Sequence, residues 1–256
     1  MRTIKTPRVR LRVGRIPYLN CEPFFAYLEG VETVSLSPRE LGSAIAEGRL
    51  DAGPVPLADL IVRGESVRRL RLGIATPGAS RSVLLFSKRP LPALTGALIG
   101  VTEETSTSVQ ILQLLLQLRY GITGVRWGKI ADGVDGMLLI GDHALRARAQ
   151  GTGFEHCTDL GAEWTAWTGL PCVFAIWAIT RRLPKEVGVE LQRALDTALD
   201  RAMASLPEIA ARRRDTGLDE TQTVSYLRNF IYRFGPREDE AVREFKKLLD
   251  SRPRLP

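Results

Sequence analysis

Apolar residues recur along this chain at two periods, and each change of period marks a change of element. Val9, Leu11 and Val13 are interleaved with Arg8, Arg10 and Arg12, a period of two that predicts a half-buried strand over 9–14. The strand then breaks into a polar, proline-bracketed loop, RIPYLNCEP. Pro17 and Pro23 restrict the backbone on either side, so Tyr18, Leu19 and Asn20 are expected to be held in one shape at a strand's carboxyl end. In open α/β sheets that is where ligands bind. The pattern goes on to predict a helix over 22–29, strand 31–36, helix 38–48, strand 51–55, helix 56–62 and strands 70–75 and 81–87. Such βα alternation predicts a largely parallel sheet with buried strands. Ser37-Pro38 followed by Glu40 predicts an N-cap with proline in the first turn, and Gly48 the end of that helix. The segment GRLDAGPVPLADLI predicts a strand ending in a Gly-Pro loop, a second rim of the same cleft.

A second unit begins near Ala97. ALIGVT predicts a strand, TSTSVQILQLLLQLRYG a helix closed by Gly121, RWGKI a strand, and GMLLIGDHAL a strand, a turn and the start of a helix. The run PCVFAIWAIT is apolar enough for a fully buried strand, and there the chain is expected to cross back. Residues 184–250 predict helices throughout. The organisation that follows is two α/β lobes joined by two crossings. One lobe comprises 1–97 plus 178–256 with the C-terminal helices packed on it, and the other comprises 98–177.

Several polar clusters could carry chemistry. Thr105, Ser106, Thr107 and Ser108 stand at the amino end of a helix, where free N–H groups and the positive end of the helix dipole favour anions. A single hydroxyl would suffice as a cap, so capping and anion binding both remain open for this run. The turn Pro77-Gly78-Ala79-Ser80-Arg81-Ser82 offers hydroxyls and N–H groups for a carboxylate, although such residues also build ordinary turns. Asp142 reads as an N-cap and His143 as a surface residue beside it.

Composition narrows the classes of function. The chain has 256 residues, 44% of them hydrophobic, enough for one large core or two smaller ones at ~100–200 residues per domain. No stretch reaches the ~18 apolar residues of a membrane span, and the N-terminus lacks the apolar core of a signal peptide. A cytoplasmic location with no membrane partner is therefore expected. The three cysteines, Cys21, Cys157 and Cys172, lack CxxC spacing, and His143 and His156 are the only histidines, so neither a disulfide framework nor a metal site is expected. A net charge of +7 raises the question of nucleic acid, but the arginines are scattered and not interleaved with aromatics. A small anionic ligand suits them better. Arg212, Arg213 and Arg214 form the densest basic run and read as a solvated helix face. GxSxG, P-loop and GxGxxG signatures are missing, which argues against covalent or phosphoryl chemistry. A site of Asn, Ser, Thr and backbone N–H groups, with Arg15, suits an organic dianion and assisted loss of a hydroxyl group.

Seven segments in order, RIPYLNCEPFF, GRLDAGPVPLADL, SRSVLLFSKRPL, TEETSTSVQILQLLL, LLIGDHAL, DLGAEWTAWTGLPCVFAIWA and YLRNFIYRFGPREDEAVREF, resemble the chorismate dehydratase family of the futalosine route to menaquinone. The resemblance spans residues 9 to about 247. It implies an α/β, two-lobed fold of the type II periplasmic-binding-protein kind with a cleft between the lobes. It also implies a hydro-lyase that needs no cofactor and converts chorismate to 3-(1-carboxyvinyloxy)benzoate, using the substrate's own enolpyruvyl carboxylate as base. By motif position Asn20 and Ser82 are the implied catalytic pair, and Arg15, Tyr18, Ser80, Thr105, Ser106, Thr107 and Ser108 the expected substrate contacts. Pro54 departs from the aliphatic residue expected in GPVPL, and Cys21 is expected only to pack. Two other functions share this fold: a solute-binding or sensory protein, and the related 1,4-dihydroxy-6-naphthoate synthase, in which a histidine acts as base. The position of the His143 ring discriminates the second.

Overall fold

The computed structural model describes residues 10–252 apart from Thr105. Val9, the first apolar residue of the predicted opening strand, lies outside the described residues. Strand β1 (Arg12–Arg15) leads through a single tight turn, Leu19–Cys21, into the short helix α1 (Glu22–Phe25). β2 (Glu32–Ser35), α2 (Pro38–Ala46), β3 (Ala52–Pro56), α3 (Leu57–Arg63) and β4 (Val67–Thr76) follow. Local chemistry sets the start of α2 as the sequence predicts. The Ser37 hydroxyl accepts the Glu40 N–H, the Glu40 carboxylate accepts the Ser37 N–H at 3.0 Å, and Gly48 closes the segment at φ +78°. Leu41, Ala44 and Ile45 then fall on one buried stripe.

The chain next builds a second sheet. β5 (Val83–Ser87), β6 (Leu98–Val101), α4 (Thr107–Leu114), β7 (Arg126–Lys129), β8 (Gly136–Ile140), α5 (Gly141–Gln150), β9 (His156–Asp159) and α6 (Leu160–Thr168) complete it. It returns with β10 (Cys172–Thr180), then α7 (Lys185–Ala204), α8 (Leu206–Arg212), α9 (Glu220–Arg228), β11 (Ile231–Arg233) and α10 (Pro236–Ser251). The sheets have the strand orders β11-β4-β10-β3-β1-β2 and β7-β6-β8-β5-β9.

Several expectations differ from this arrangement. β5, expected with the first unit, pairs antiparallel with β8 and β9 in the second sheet. The first crossing therefore falls in the turn 77–82 rather than near Ala97. β10 lies wholly in the first sheet, so the return is complete by Cys172. The first sheet is mixed rather than largely parallel: β1 runs parallel to β2 and β3, but β10 enters antiparallel between β3 and β4. Gly53 and Pro54 lie inside β3 and not in a loop after it; β1 pairs with β3 only at Val13 and Ala52, so Pro54 sits beyond that ladder, where a missing N–H is tolerated. The C-terminal region holds β11 as well as helices. It also bridges the sheets, because α10 touches both β10 and α4.

One hydrophobic core runs through both lobes, with the Phe24 ring edge-on to both Trp177 of β10 and Tyr232 of β11. Leu84, Phe86, Leu139 and Ala144 form a satellite on the far face of the second sheet. No helix of the described residues is long and apolar enough to cross a membrane. Gly73 in β4 allows the closest approach within the first sheet: a Cβ there would lie 2.3 Å from the Phe234 ring and 2.5 Å from the Ala175 carbonyl oxygen. Gly73→Ala is expected to destabilise the fold by ~1–3 kcal/mol through overpacking. At roughly 2–4 °C per kcal/mol for a chain of this size, the loss is measurable by thermal melting.

Candidate active site

The cleft between the two sheets is assembled from strand ends. Its floor and walls come from the segment after β1 (Ile16, Tyr18, Asn20, Cys21), from Pro56 and Ile74 of β3 and β4, and from Phe174 and Ala175 of β10. The second lobe supplies Val83, Ile140 and Gly141, together with Ser106, Thr107 and Ser108 at the start of α4. The space between these walls is about 510 Å³, open solvent at the mouth included. Its walls are mostly apolar and its polar groups converge from two sides, the Asn20 amide from one lobe and the hydroxyls of α4 from the other.

Asn20 sits in the middle of the Leu19–Cys21 turn. The Cys21 thiol lies 3.5 Å from Asn20 Oδ1 and donates to it, which leaves the Nδ2 amide group as the donor offered to a ligand. Cys21 thus orients its neighbour as well as packing. Tyr18 lies under Gly141, where φ is +54° and any Cβ would come within 2.5 Å of the phenol ring. Its hydroxyl donates to the Glu104 carboxylate across the cleft mouth. Burial, reinforced by the Glu104 carboxylate, pushes the Tyr18 phenol far above its usual range, and burial likewise raises the Cys21 thiol. Both groups stay protonated at neutral pH.

The start of α4 both shapes the cleft and joins the lobes. Ser106 Oγ donates to Asp59 Oδ1 at 2.8 Å, and Thr107 Oγ1 accepts the Ala58 N–H at 3.1 Å, so hydroxyls of one lobe satisfy the first turn of α3 in the other. The Thr107 hydroxyl retains its own proton for a ligand, and Ser108 lines the cleft beside it. Thr105 lies outside the described residues.

Three expected site residues stand elsewhere. Arg15 is not in the cleft lining: its guanidinium pairs with Glu22 at 2.7 Å and lies over the Phe25 ring. Ser80 is fully buried, its N–H and hydroxyl both turned to Asp159 Oδ1 at 2.9 and 3.1 Å, while its oxygen accepts the Val83 N–H. Asp159 also caps α6, which explains why the 77–82 turn closes on protein and not on a ligand. Arg81 is held in that turn at φ +63° by its N–H bond to Asp159. Ser82 is also fully buried, one layer behind the cleft wall, with its hydroxyl 2.7 Å from the Tyr226 hydroxyl and its carbonyl accepting the Gly141 N–H at 2.8 Å. His143 stands on the rim with its side chain half exposed, Nε2 4.0 Å from Glu104, and does not line the cleft with Asn20.

Sequence reasoning missed the ionic cluster beneath the YLN turn. Asp142, expected as an N-cap, makes no cap bond to α5; its Oδ1 accepts the Leu19 N–H at 2.8 Å and its Oδ2 accepts from Arg213. Arg213, expected on a solvated face, also donates to Glu22 at 2.6 Å and to Asp215 at 2.9 Å. Burial pushes the Asp142 carboxyl above the usual carboxylate range against the pull of Leu19 and Arg213. Burial by itself disfavours the Arg213 charge, but Asp215, Asp142 and Glu22 outweigh it and hold the guanidinium protonated. The available signals were a buried-strand aspartate in LLIGD and a triple arginine followed by Asp215, neither of which names its partner.

Two α/β sheets around a cleft built at strand ends, with the chain crossing between them twice, define the periplasmic-binding-protein fold. Solved structures agree: a protein from Archaeoglobus fulgidus superposes with a TM-score of 0.78 over 96% of this chain and 98% of its own at 17% identity. The periplasmic aliphatic sulphonate-binding protein SsuA of Escherichia coli gives 0.67 over 94% and 86% at 14% identity. These likenesses speak for the fold alone. The chain belongs to the menaquinone biosynthesis family, whose model matches residues 11–251. It is 30% identical to the chorismate dehydratase of Thermus thermophilus, an alignment covering 93% of this chain and 94% of that protein.

Thr107 and Ser108 separate the structural from the ligand-binding share of the α4 terminus. Thr107→Ala removes the acceptor of the Ala58 N–H and is expected to cost about 0.5–2 kcal/mol of stability, the range for a lost helix cap, in addition to any effect on ligand binding. Ser108→Ala, with no cap to lose, is expected to raise KM with the melting temperature unchanged. Melting curves and steady-state kinetics on the two variants check both outcomes.

Proposed function

We propose that this protein dehydrates chorismate to 3-(1-carboxyvinyloxy)benzoate on the futalosine route to menaquinone. The reaction breaks the ring C–H bond at the ether carbon and the neighbouring C–OH bond, releases one water and leaves an aromatic ring. Aromatisation supplies the driving force, so the demand on the protein is for position and charge stabilisation rather than for a strong base. The observation that carries this reading is the chemistry of the cleft lining in a member of this family. The lining is apolar and rich in neutral donors, and its two titratable groups, Tyr18 and Cys21, are both held protonated. A cleft of that kind suits a substrate that brings its own base, the enolpyruvyl carboxylate taking the proton and returning it to the departing hydroxide.

In this reading Asn20 Nδ2 and the hydroxyls of Thr107 and Ser108, with the free N–H groups at the start of α4, hold the dianion in its reactive conformer. Tyr18 fixes the wall on which the ring rests. Ser82 acts from behind, its hydroxyl holding Tyr226 and its carbonyl holding Gly141 in the wall. Arg15 acts on Glu22 and not on the substrate.

The test is incubation of the purified protein with chorismate, without added metal or nucleotide, and identification of the product. The expected result is an aromatic enol ether formed with loss of water. Chorismate bound but unchanged after prolonged incubation with folded protein would point to a solute-binding protein instead.

Asn20→Ala is expected to lower kcat by roughly 10²-fold or more, the scale of losing one donor to a developing charge, with a smaller change in KM. Asn20→Asp keeps the size, removes the N–H donor and adds a negative charge beside an anionic substrate, so it is expected to be at least as damaging. An Asn20→Asp enzyme faster than wild type would mean that the site accepts a protein carboxylate as base, and substrate assistance would have to be given up.

A further inference from the structure

We infer that Arg213 is a positioning residue for the reaction: its guanidinium clamps the two buried carboxylates that flank the Leu19–Cys21 turn and so sets where Asn20 stands in the cleft. The inference rests on the dehydratase reading for its kinetic readout, but its geometry is independent of the substrate's identity. The turn is a single 3-10 turn and no side chain of its own caps its start. Its first amide, the Leu19 N–H, is instead taken by Asp142, 123 positions away on the other lobe and only 3% exposed. The residue that follows the turn, Glu22, is also buried. One guanidinium reaches both, Nη2 to Asp142 and Nη1 to Glu22 at 2.6 Å, while its Nε is fixed by Asp215 at 2.9 Å. Asn20 is therefore suspended between two anchors that share one cation.

A planar fork with fixed donor directions can do this, and an ammonium cannot hold three carboxylates in those directions at once. The clamp also crosses the cleft. Asp142 opens α5 of the second sheet's unit, whereas Leu19 and Glu22 belong to the first, so the Asp142–Leu19 bond joins the two lobes.

The experiment begins with chorismate turnover by the wild-type chain; its absence would count against the dehydratase reading and not against the clamp. Arg213→Lys, Arg213→Ala and Asp142→Asn are then compared for folding by circular dichroism, for kcat and KM, and for hydrogen exchange at the Leu19 amide, which needs no turnover. Arg213→Lys keeps a cation and is expected to stay folded. It should lose kcat by ~10²-fold, the scale of a misplaced catalytic group, with KM changed less than about three-fold and faster exchange at Leu19. Millimolar methylguanidine, but not methylammonium, should restore part of the kcat of Arg213→Ala if that variant folds. If it does not fold, the kcat against KM split and the Leu19 exchange of Arg213→Lys and Asp142→Asn decide alone. A folded Arg213→Lys with wild-type kcat and unchanged Leu19 exchange overturns the inference. So does a loss confined to thermal stability.

Discussion

Glu22 and Asp142 are buried carboxylates that arrive from opposite lobes and meet at the Arg213 guanidinium. A buried charge is costly unless paired, and breaking such a pair typically costs ~3–5 kcal/mol because the remaining charge is left without water or partner. That constraint ties together three parts of the chain far apart in sequence: the turn after β1, the first turn of α5 and the segment beyond α8. The cleft depends on it, since the same carboxylate that takes Arg213 also takes the Leu19 amide. A second lobe-to-lobe junction, at Ser106 and Thr107 against the first turn of α3, closes the opposite side.

Between these junctions the cleft is lined by neutral donors, while the nearby guanidinium of Arg15 is turned away onto Glu22 and Phe25. This has a chemical consequence for an anionic substrate. A carboxylate paired with a guanidinium is stabilised in its charged form and becomes a poorer proton acceptor. Hydroxyls and backbone N–H groups can hold a carboxylate with less loss of basicity, which suits the substrate-assisted proton removal proposed above. The overall charge of +7 still favours encounter with an anion at long range. On the proposed reading recognition inside falls to dipoles, while Arg15 pairs with Glu22 and Arg213 with Glu22, Asp142 and Asp215, outside the lining.

Strand and helix periods, the Ser37 capping box, the Gly48 stop and the YLN turn at the end of β1 were readable along the chain because each is decided within a few residues. Asn20 and the α4 hydroxyls were readable for the same reason, as a proline-bracketed loop and a helix start. The pattern could not tell which sheet a strand joins. VLLFS and PCVFAIWAIT are apolar on both faces, and such runs suit any buried position, so the pattern leaves β5 with the first unit and puts the return crossing inside β10, whereas the folded chain has crossed before each strand begins. The identical types Ser80, Ser82, Ser106 and Ser108 likewise fall on different sides of the cleft wall, two behind it and two in it.

From sequence alone, this protein's family, its α/β class and the turn that carries Asn20 follow from motifs and periods that are local or preserved in order. Tertiary structure decided the partners of its charges. Arg213 in a run of three arginines looks like a solvated helix face, and Asp142 before a helix like a cap, until packing removes the water around them. Burial then makes each the obligatory partner of a group far away in the chain. That selection is made by desolvation in the folded molecule, and the one-dimensional order of residues carries no record of it.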